Sequence, residues 1–235
     1  MNSNRSSSTL ALLIAFVSVL GLGVVAGALA GWENEDEVLL ISLATLAVFS
    51  EIFDFSPFPN SRISISFGLI LAAGMLGGLQ GVAAVASATA MADYAVHRTH
   101  PAKSIFNLAT LILSGAAYVG VLEALTTPSD GDSIASLGPA VFGTFIAFFV
   151  NSGLLTMAIS LETGNHPWTV WNVNFRWTLP HYVILGVLAV FTAATYDRWA
   201  LPGLTLLASP LLMTWLAMKQ YTDSTADLSS DASRP

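Results

Sequence analysis

Eight apolar runs dominate this chain, and the first of them, TLALLIAFVSVLGLGVVAGALAG (9 to 31), is long enough by itself to cross a bilayer. The others are EVLLISLATLAVFSEIF (37 to 53), SISFGLILAAGMLGG (64 to 78), LQGVAAVASATAMADYAV (79 to 96), SIFNLATLILSGAAYVGVLEAL (104 to 125), PAVFGTFIAFFVNSGLLTMAISL (139 to 161), LPHYVILGVLAVFTAATY (179 to 196) and PGLTLLASPLLMTWLAMKQ (202 to 220). Inside hydrocarbon every backbone N–H and C=O must find a partner within the protein, which leaves only helices and closed barrels. Runs of this length are helical. The chain is therefore predicted to be an all-α polytopic membrane protein, a bundle of about eight transmembrane helices.

With 235 residues, 54% of them hydrophobic and 10% charged, these spans leave no room for a soluble catalytic domain. Residues 1–221 form one membrane domain, and TDSTADLSSDASRP (222–235) reads as a short disordered tail. The absence of cysteine excludes disulfides, thiolate metal sites and Cys nucleophiles. The net charge of -7 points away from nucleic acid as a partner. The first run has Arg5 before it and an Ala28-Leu29-Ala30 end like a signal-peptide cleavage site, but its apolar stretch exceeds a signal h-region. It is expected to be retained. Residues 62 to 67 alternate polar and apolar, and a lone strand cannot lie unpaired in lipid, so an extended entry at the interface or against neighbouring helices is expected there.

Placing the N-terminus in the cytoplasm puts Arg5, Arg62, Arg98, Lys103, Arg176, Lys219 and Arg234 inside and leaves Arg198 outside. Both termini are therefore expected in the cytoplasm, with the chain in the plasma (inner) membrane of a cell. The acidic loop WENEDE (32 to 37) and the polar loop 126 to 138 fall outside. His97, Arg98, His100 and Lys103 fall on a cytoplasmic turn, where Pro101 helps end one helix before the next.

Small residues recur at four-residue steps, as in Gly23, Gly27 and Gly31, Gly74 and Gly78, and Ala84, Ala88 and Ala92. Such faces allow helices to approach closely, within one chain or, as the alternative, in a homodimer.

Polar side chains within the spans carry the functional signal, because each is costly in lipid unless it meets a partner or water. Glu51 and Asp54 end the second run, Asp93 and Tyr94 the fourth, and Asn107 starts the fifth. Asn151, Ser152 and Thr156 occupy the sixth, Glu162 ends it, and His181 and Tyr182 open the seventh after Pro180. On the expected topology Glu51, Asp93, Asn107, Glu162 and His181 share the cytoplasmic depth and could converge on a shallow cavity. The plainer reading makes each a hydrated or paired helix-end residue, and Asn107 and Asn151 interhelical hydrogen-bonding residues. HPWTVWNVNFRW (166 to 177) has the Trp and Arg content of an interfacial belt, or of an amphipathic segment covering a cavity from below.

The chain has no HExxH, GxSxG, P-loop or Rossmann pattern, and its four histidines lack metal-ligand spacing. Neither an enzyme nor a cofactor is expected. The order RISISFGLILAAGMLGGLQGVAAVASATAMADY, IFNLATLILSGAAYVGVLEAL, FVNSGLLTMAISLETG and WTLPHYVILGVLAVFTAATYDRW resembles MASE-type membrane-associated sensor domains, over roughly residues 37 to 220. These stand at the N-terminus of bacterial HD-GYP and GGDEF signalling proteins. The resemblance rests on helix order and on Asp93, Asn107, Asn151 and the Pro180-His181 pair. In that family the last helix leads into a domain that makes or degrades cyclic di-GMP, and no such domain follows here. The resemblance therefore implies a stand-alone signal-input module without catalysis, acting through a separate cytoplasmic signalling protein docked near Lys219. A substrate-binding membrane subunit of a small-solute transporter, similar to the S components of energy-coupling-factor systems, is the alternative.

Overall fold

A computed structural model describes residues 3–31, 37–52, 55–58, 61–63, 65–126 and 136–204. The described residues form seven helices and one short hairpin: α1 (Ser3–Ala30), α2 (Glu37–Ile52), β1 (Phe55–Phe58), β2 (Ser61–Ile63), α3 (Ser66–His97), α4 (Pro101–Leu125), α5 (Leu137–Thr163), α6 (Pro167–Asn174) and α7 (Leu179–Trp199). A single 3-10 turn, Arg176–Thr178, joins α6 to α7. Among the described residues, five segments are long and apolar enough to cross a membrane: Ser8–Ala30, Ser66–His97, Pro101–Leu125, Leu137–Thr163 and Pro167–Trp199. The chain is membrane-embedded and helical. Its surface agrees, since Leu12, Phe16, Val19, Ile41, Phe142, Ile184 and Phe191 all point outward. Helical backbone begins again at 201, but the eighth apolar run from 205 onward, Lys219, the tail, Asp54 and most of both polar loops lie outside the described residues.

The third and fourth apolar runs meet where the sequence divides them. Gly77 (φ -128°, ψ 21°) and Gly78 (φ 53°, ψ -143°) interrupt α3, and the second of these lies in the left-handed region that glycine enters without a Cβ penalty. The chain doubles back there. A Cβ placed on Gly81 would overlap the carbonyl oxygen of Ala73, and one on Gly74 would lie 3.0 Å from Val82 Cγ2. In a continuous helix residues 73 and 81 would stand about 12 Å apart. The first half, 66–76, is about 16 Å long, half of a bilayer core. Its residues from Ser66 to Gly74 are all buried, which explains a sequence that is apolar all round.

This half-helix is the centre of the bundle. It packs with 79–97 against α2, α4 and α7, and Gly68 lets Leu185 of α7 approach to 3.3 Å of its Cβ position. Tyr118, Phe148, Leu43, Ile70, Leu71 and Ile112 fill the interior. Packing in lipid gains no hydrophobic drive, so close approach and dispersion hold such helices, and small residues mark the contacts. Gly143 admits the Tyr118 ring, Gly115 admits Val82, and Gly186 admits Thr144. Outermost stands α1, held by Gly21 against the Ala109 backbone and by Val17 beside Phe106. Of the stepped glycines, Gly23 and Gly27 have nothing among the described residues within 4 Å of a Cβ position, whereas Gly74 is a true packing position.

Of the extended entry expected over 62 to 67, residues 62 and 63 lie in a paired antiparallel hairpin, with Phe55 opposite Ile63 and Phe58 opposite Ser61, whereas Ser66 and Phe67 already belong to α3. Pairing β1 with β2 satisfies amides that a single strand would leave bare. Likewise the Trp-rich segment 166 to 177 is more than a surface belt: its helix α6 packs along α5, where Trp171 stacks on Phe149 at 6.4 Å and on Trp168 at 5.5 Å.

Candidate functional site

The charged stretch around residues 93–104 builds a turn. Asp93 Oδ1 takes a hydrogen bond from His97 Nδ1 at 2.9 Å, one helical turn apart. Arg98 then adopts a left-handed conformation (φ 49°) that stops α3, with its N–H donated to Tyr94 O. His100 caps α4: its Nδ1 accepts from Ala102 N at 3.3 Å, and Pro101 occupies the first turn, where its missing N–H costs nothing. The same His-Pro device opens α6, where His166 Nδ1 accepts from Trp168 N at 3.2 Å. Two of the four histidines are thus N-caps, and Asp93 belongs to a helix end.

The interior is different. Glu51, 6% exposed, accepts a 2.5 Å hydrogen bond from Ser66 Oγ, joining the end of α2 to the start of α3. The next residue, Phe67, packs its ring 4.8 Å from Tyr182 at the start of α7. The Tyr182 hydroxyl in turn accepts from Asn151 Nδ2 of α5 at 2.9 Å, and its ring lies 4.8 Å from Phe148. A chain of contacts therefore crosses the bundle from α2 through α3 and α7 to α5, hydrogen-bonded at both ends and joined in the middle by the Phe67–Tyr182 ring contact.

Helix register brings further groups to this level. Thr144 meets Gly186 and Asn151 meets Tyr182, an antiparallel pairing that puts His181 and Ser152 at the same height. Tyr118 meets Gly143, and Phe106 and Ala109 cluster with Leu154, Leu155 and Ala158, which puts Asn107 and Thr110 at the same height. Val82 against Gly115 places Thr89 there as well. The result is a polar layer inside an apolar bundle, made of Glu51, Ser66, Thr89, Thr110, Asn151, Ser152 and Tyr182, with Thr156 about one turn beyond it along α5.

Most hydroxyls in the interior are spent on their own helices. Thr89 bonds Val85 O, Thr110 bonds Asn107 O, Ser114 bonds Leu111 O, Thr144 bonds Ala140 O and Thr192 bonds Leu188 O, each at 2.7 to 2.9 Å. Four buried atoms on α5 and α7 break this habit. Among the described residues, Asn151 Oδ1, Ser152 Oγ, Thr156 Oγ1 and His181 Nε2 have no hydrogen-bond partner. Elsewhere the Tyr118 hydroxyl and half-buried Ser18 Oγ share that condition, the former deeper in the bundle.

Of the six residues singled out from sequence, the structure joins Glu51 and Asn151 to the polar layer and sets His181 at its height. Asn107 borders it, half-buried, with its carbonyl used by Thr110. Asp93 is pulled away by His97, and Glu162, exposed at the end of α5, stands apart because that end projects beyond the layer by more than two helical turns. Ser66 and Thr110 were not foreseen, since a hydroxyl in an apolar run carries no sign of where it points. Among the described residues no three His, Asp or Glu side chains gather as metal ligands. Compared with family models, with characterised proteins and with solved structures, the chain matches none.

Proposed function

We propose that this protein is a signal-input module of the plasma (inner) membrane, without catalytic activity in these residues, with about eight spans and both termini in the cytoplasm. Its stimulus acts at the polar layer between α5 and α7, changes how the helices from 79–97 through α7 pack, and reaches a separate cytoplasmic partner through the C-terminal apolar run. The observation that carries this reading is the set of four unpartnered buried atoms on Asn151, Ser152, Thr156 and His181. Unpaired polar groups in a membrane interior are destabilising by themselves, and a packing held by them is poised to rearrange when they find partners. The resemblance to MASE-type sensor domains supports the same class.

A second reading, a substrate-binding subunit of a small-solute transporter, draws on the breaks at Gly77–Gly78 and at 175–178, since transporters form midplane sites at interrupted helices. One experiment separates the two. The full chain and a version lacking 222–235 are purified from native membranes in mild detergent, and bound proteins are identified by mass spectrometry. Recovery of a cyclic di-GMP enzyme with the full chain supports the input module. Recovery of an ATPase with a coupling subunit replaces it with transport, and a chain that purifies alone removes the partner from the proposal.

A further inference from the structure

Resting on the polar layer as the point of input, we infer that the α5–α7 junction is a binding site for a small, uncharged, hydrogen-bonding solute, reached beneath α6. Asn151, Ser152 and Thr156 are 6%, 1% and 5% exposed, so their free atoms are not satisfied by bulk water. With 100° between successive residues, Ser152 and Thr156 fall on the arc of α5 between Phe148, which meets Tyr182, and Phe149, which meets Trp171. That arc opens toward the space between α7 and α6. From Asn151 to Thr156 the free atoms span about 7 Å of helix, enough for a ligand of several heavy atoms rather than a single ion.

The chemistry specifies a neutral guest. Asn151 Oδ1 accepts, while the Ser152 and Thr156 hydroxyls and His181 Nε2 can each donate or accept, a set matched by amides and polyols. No Asp, Glu, Lys or Arg precedes Glu162 on α5 or Asp197 on α7, and α6 carries none. A charged solute would therefore enter without a counter-charge from these helices, at a large desolvation cost. Access falls to α6, whose one buried side chain is Val170, and which is bounded by Gly164 (φ 73°) and the 3-10 turn.

The chain contains no cysteine, so a single thiol can be introduced cleanly. Ser152→Cys and Thr156→Cys are compared in lipid nanodiscs with Ser114→Cys, whose native hydroxyl is bonded to its own helix. The probe is methyl methanethiosulfonate, alone or with acetamide or sodium acetate at equal concentration. Labelling at Ser152→Cys at least ~10-fold faster than at Ser114→Cys, slowed by acetamide and not by acetate, is the expected result. Equal slow labelling of all three thiols means a dry interface and overturns the site. Fast labelling that acetamide leaves unchanged means that ordered water alone occupies it, and slowing by acetate overturns the neutral class. Should Ser152→Cys fail to fold, Thr156→Cys reads the same outcomes. None of these results depends on which protein the chain recruits, so the site and the input-module reading fail separately.

Discussion

Replacing Gly81 by alanine tests whether α3 doubles back at Gly77–Gly78. The new Cβ would overlap the Ala73 carbonyl oxygen and lie 2.7 Å from its carbonyl carbon. Ordinary contact needs most of another ångström, and the obstacle is backbone, which cannot rotate away. The half-helix 66–76 cannot retreat either, because Gly74 already holds Val119 Cγ2 at 3.1 Å from its Cβ position and residues 66–74 are fully buried. Overpacking against movable side chains costs 1–3 kcal/mol, so about 3 kcal/mol or more is expected here. For a chain of this length that corresponds to a fall in Tm of about 6–12 °C. Gly120→Ala is the control, since nothing lies within 4 Å of its Cβ position, and relief of helical glycine should stabilise it by about 0.5–1 kcal/mol. Thermal unfolding in one detergent, followed by near-ultraviolet circular dichroism, reads both. If Gly81→Ala melted with Gly120→Ala, residues 73 and 81 would not be in contact and the broken hairpin would be wrong.

Three further outcomes are expected. Asn151→Leu and Tyr182→Phe each remove the hydrogen bond between α5 and α7, and the double variant should be less destabilised than the sum, with a coupling of about 1 kcal/mol in a thermal double-mutant cycle; strict additivity would deny the bond. Ala200 sits at φ 49°, ψ -138°, a region open chiefly to glycine, so Ala200→Gly should raise the melting temperature by the equivalent of about 1 kcal/mol, and an unchanged or lower value would remove the strain. Trp171→Ala breaks the stack on Phe149 and Trp168, worth about 0.5–1.5 kcal/mol beyond its area, and should speed amide hydrogen exchange in α6 while leaving α4 unchanged. Equal exchange in α6 before and after would show that the stack does not hold the segment.

Helix existence was readable because it is a local property: twenty apolar residues must satisfy their own amides, whatever surrounds them. The run boundary at Gly78 and the Pro-marked start near 180 appear where the residues indicate, whereas α4 already begins at Pro101 rather than at 104, so the turn expected to hold His97 and Lys103 narrows to residues 98–100. Run length also carried a warning that 64 to 78 is short, and the structure turns that shortness into a buried half-helix. What no reading of the chain could supply is which polar groups face one another. Asp93 and Glu51 look alike as carboxylates near helix ends, yet the first pairs four residues away with His97 and the second reaches Ser66 across fifteen. Asn151 finds Tyr182, and Ser152 finds no hydrogen-bond partner among the described residues, though they are neighbours 100° apart on one helix. Spacing along the chain prescribes which face of a helix a residue occupies. Which helix lies against that face depends on shape, on where glycines such as Gly68 and Gly186 let backbones close, and that is settled only when the whole bundle packs.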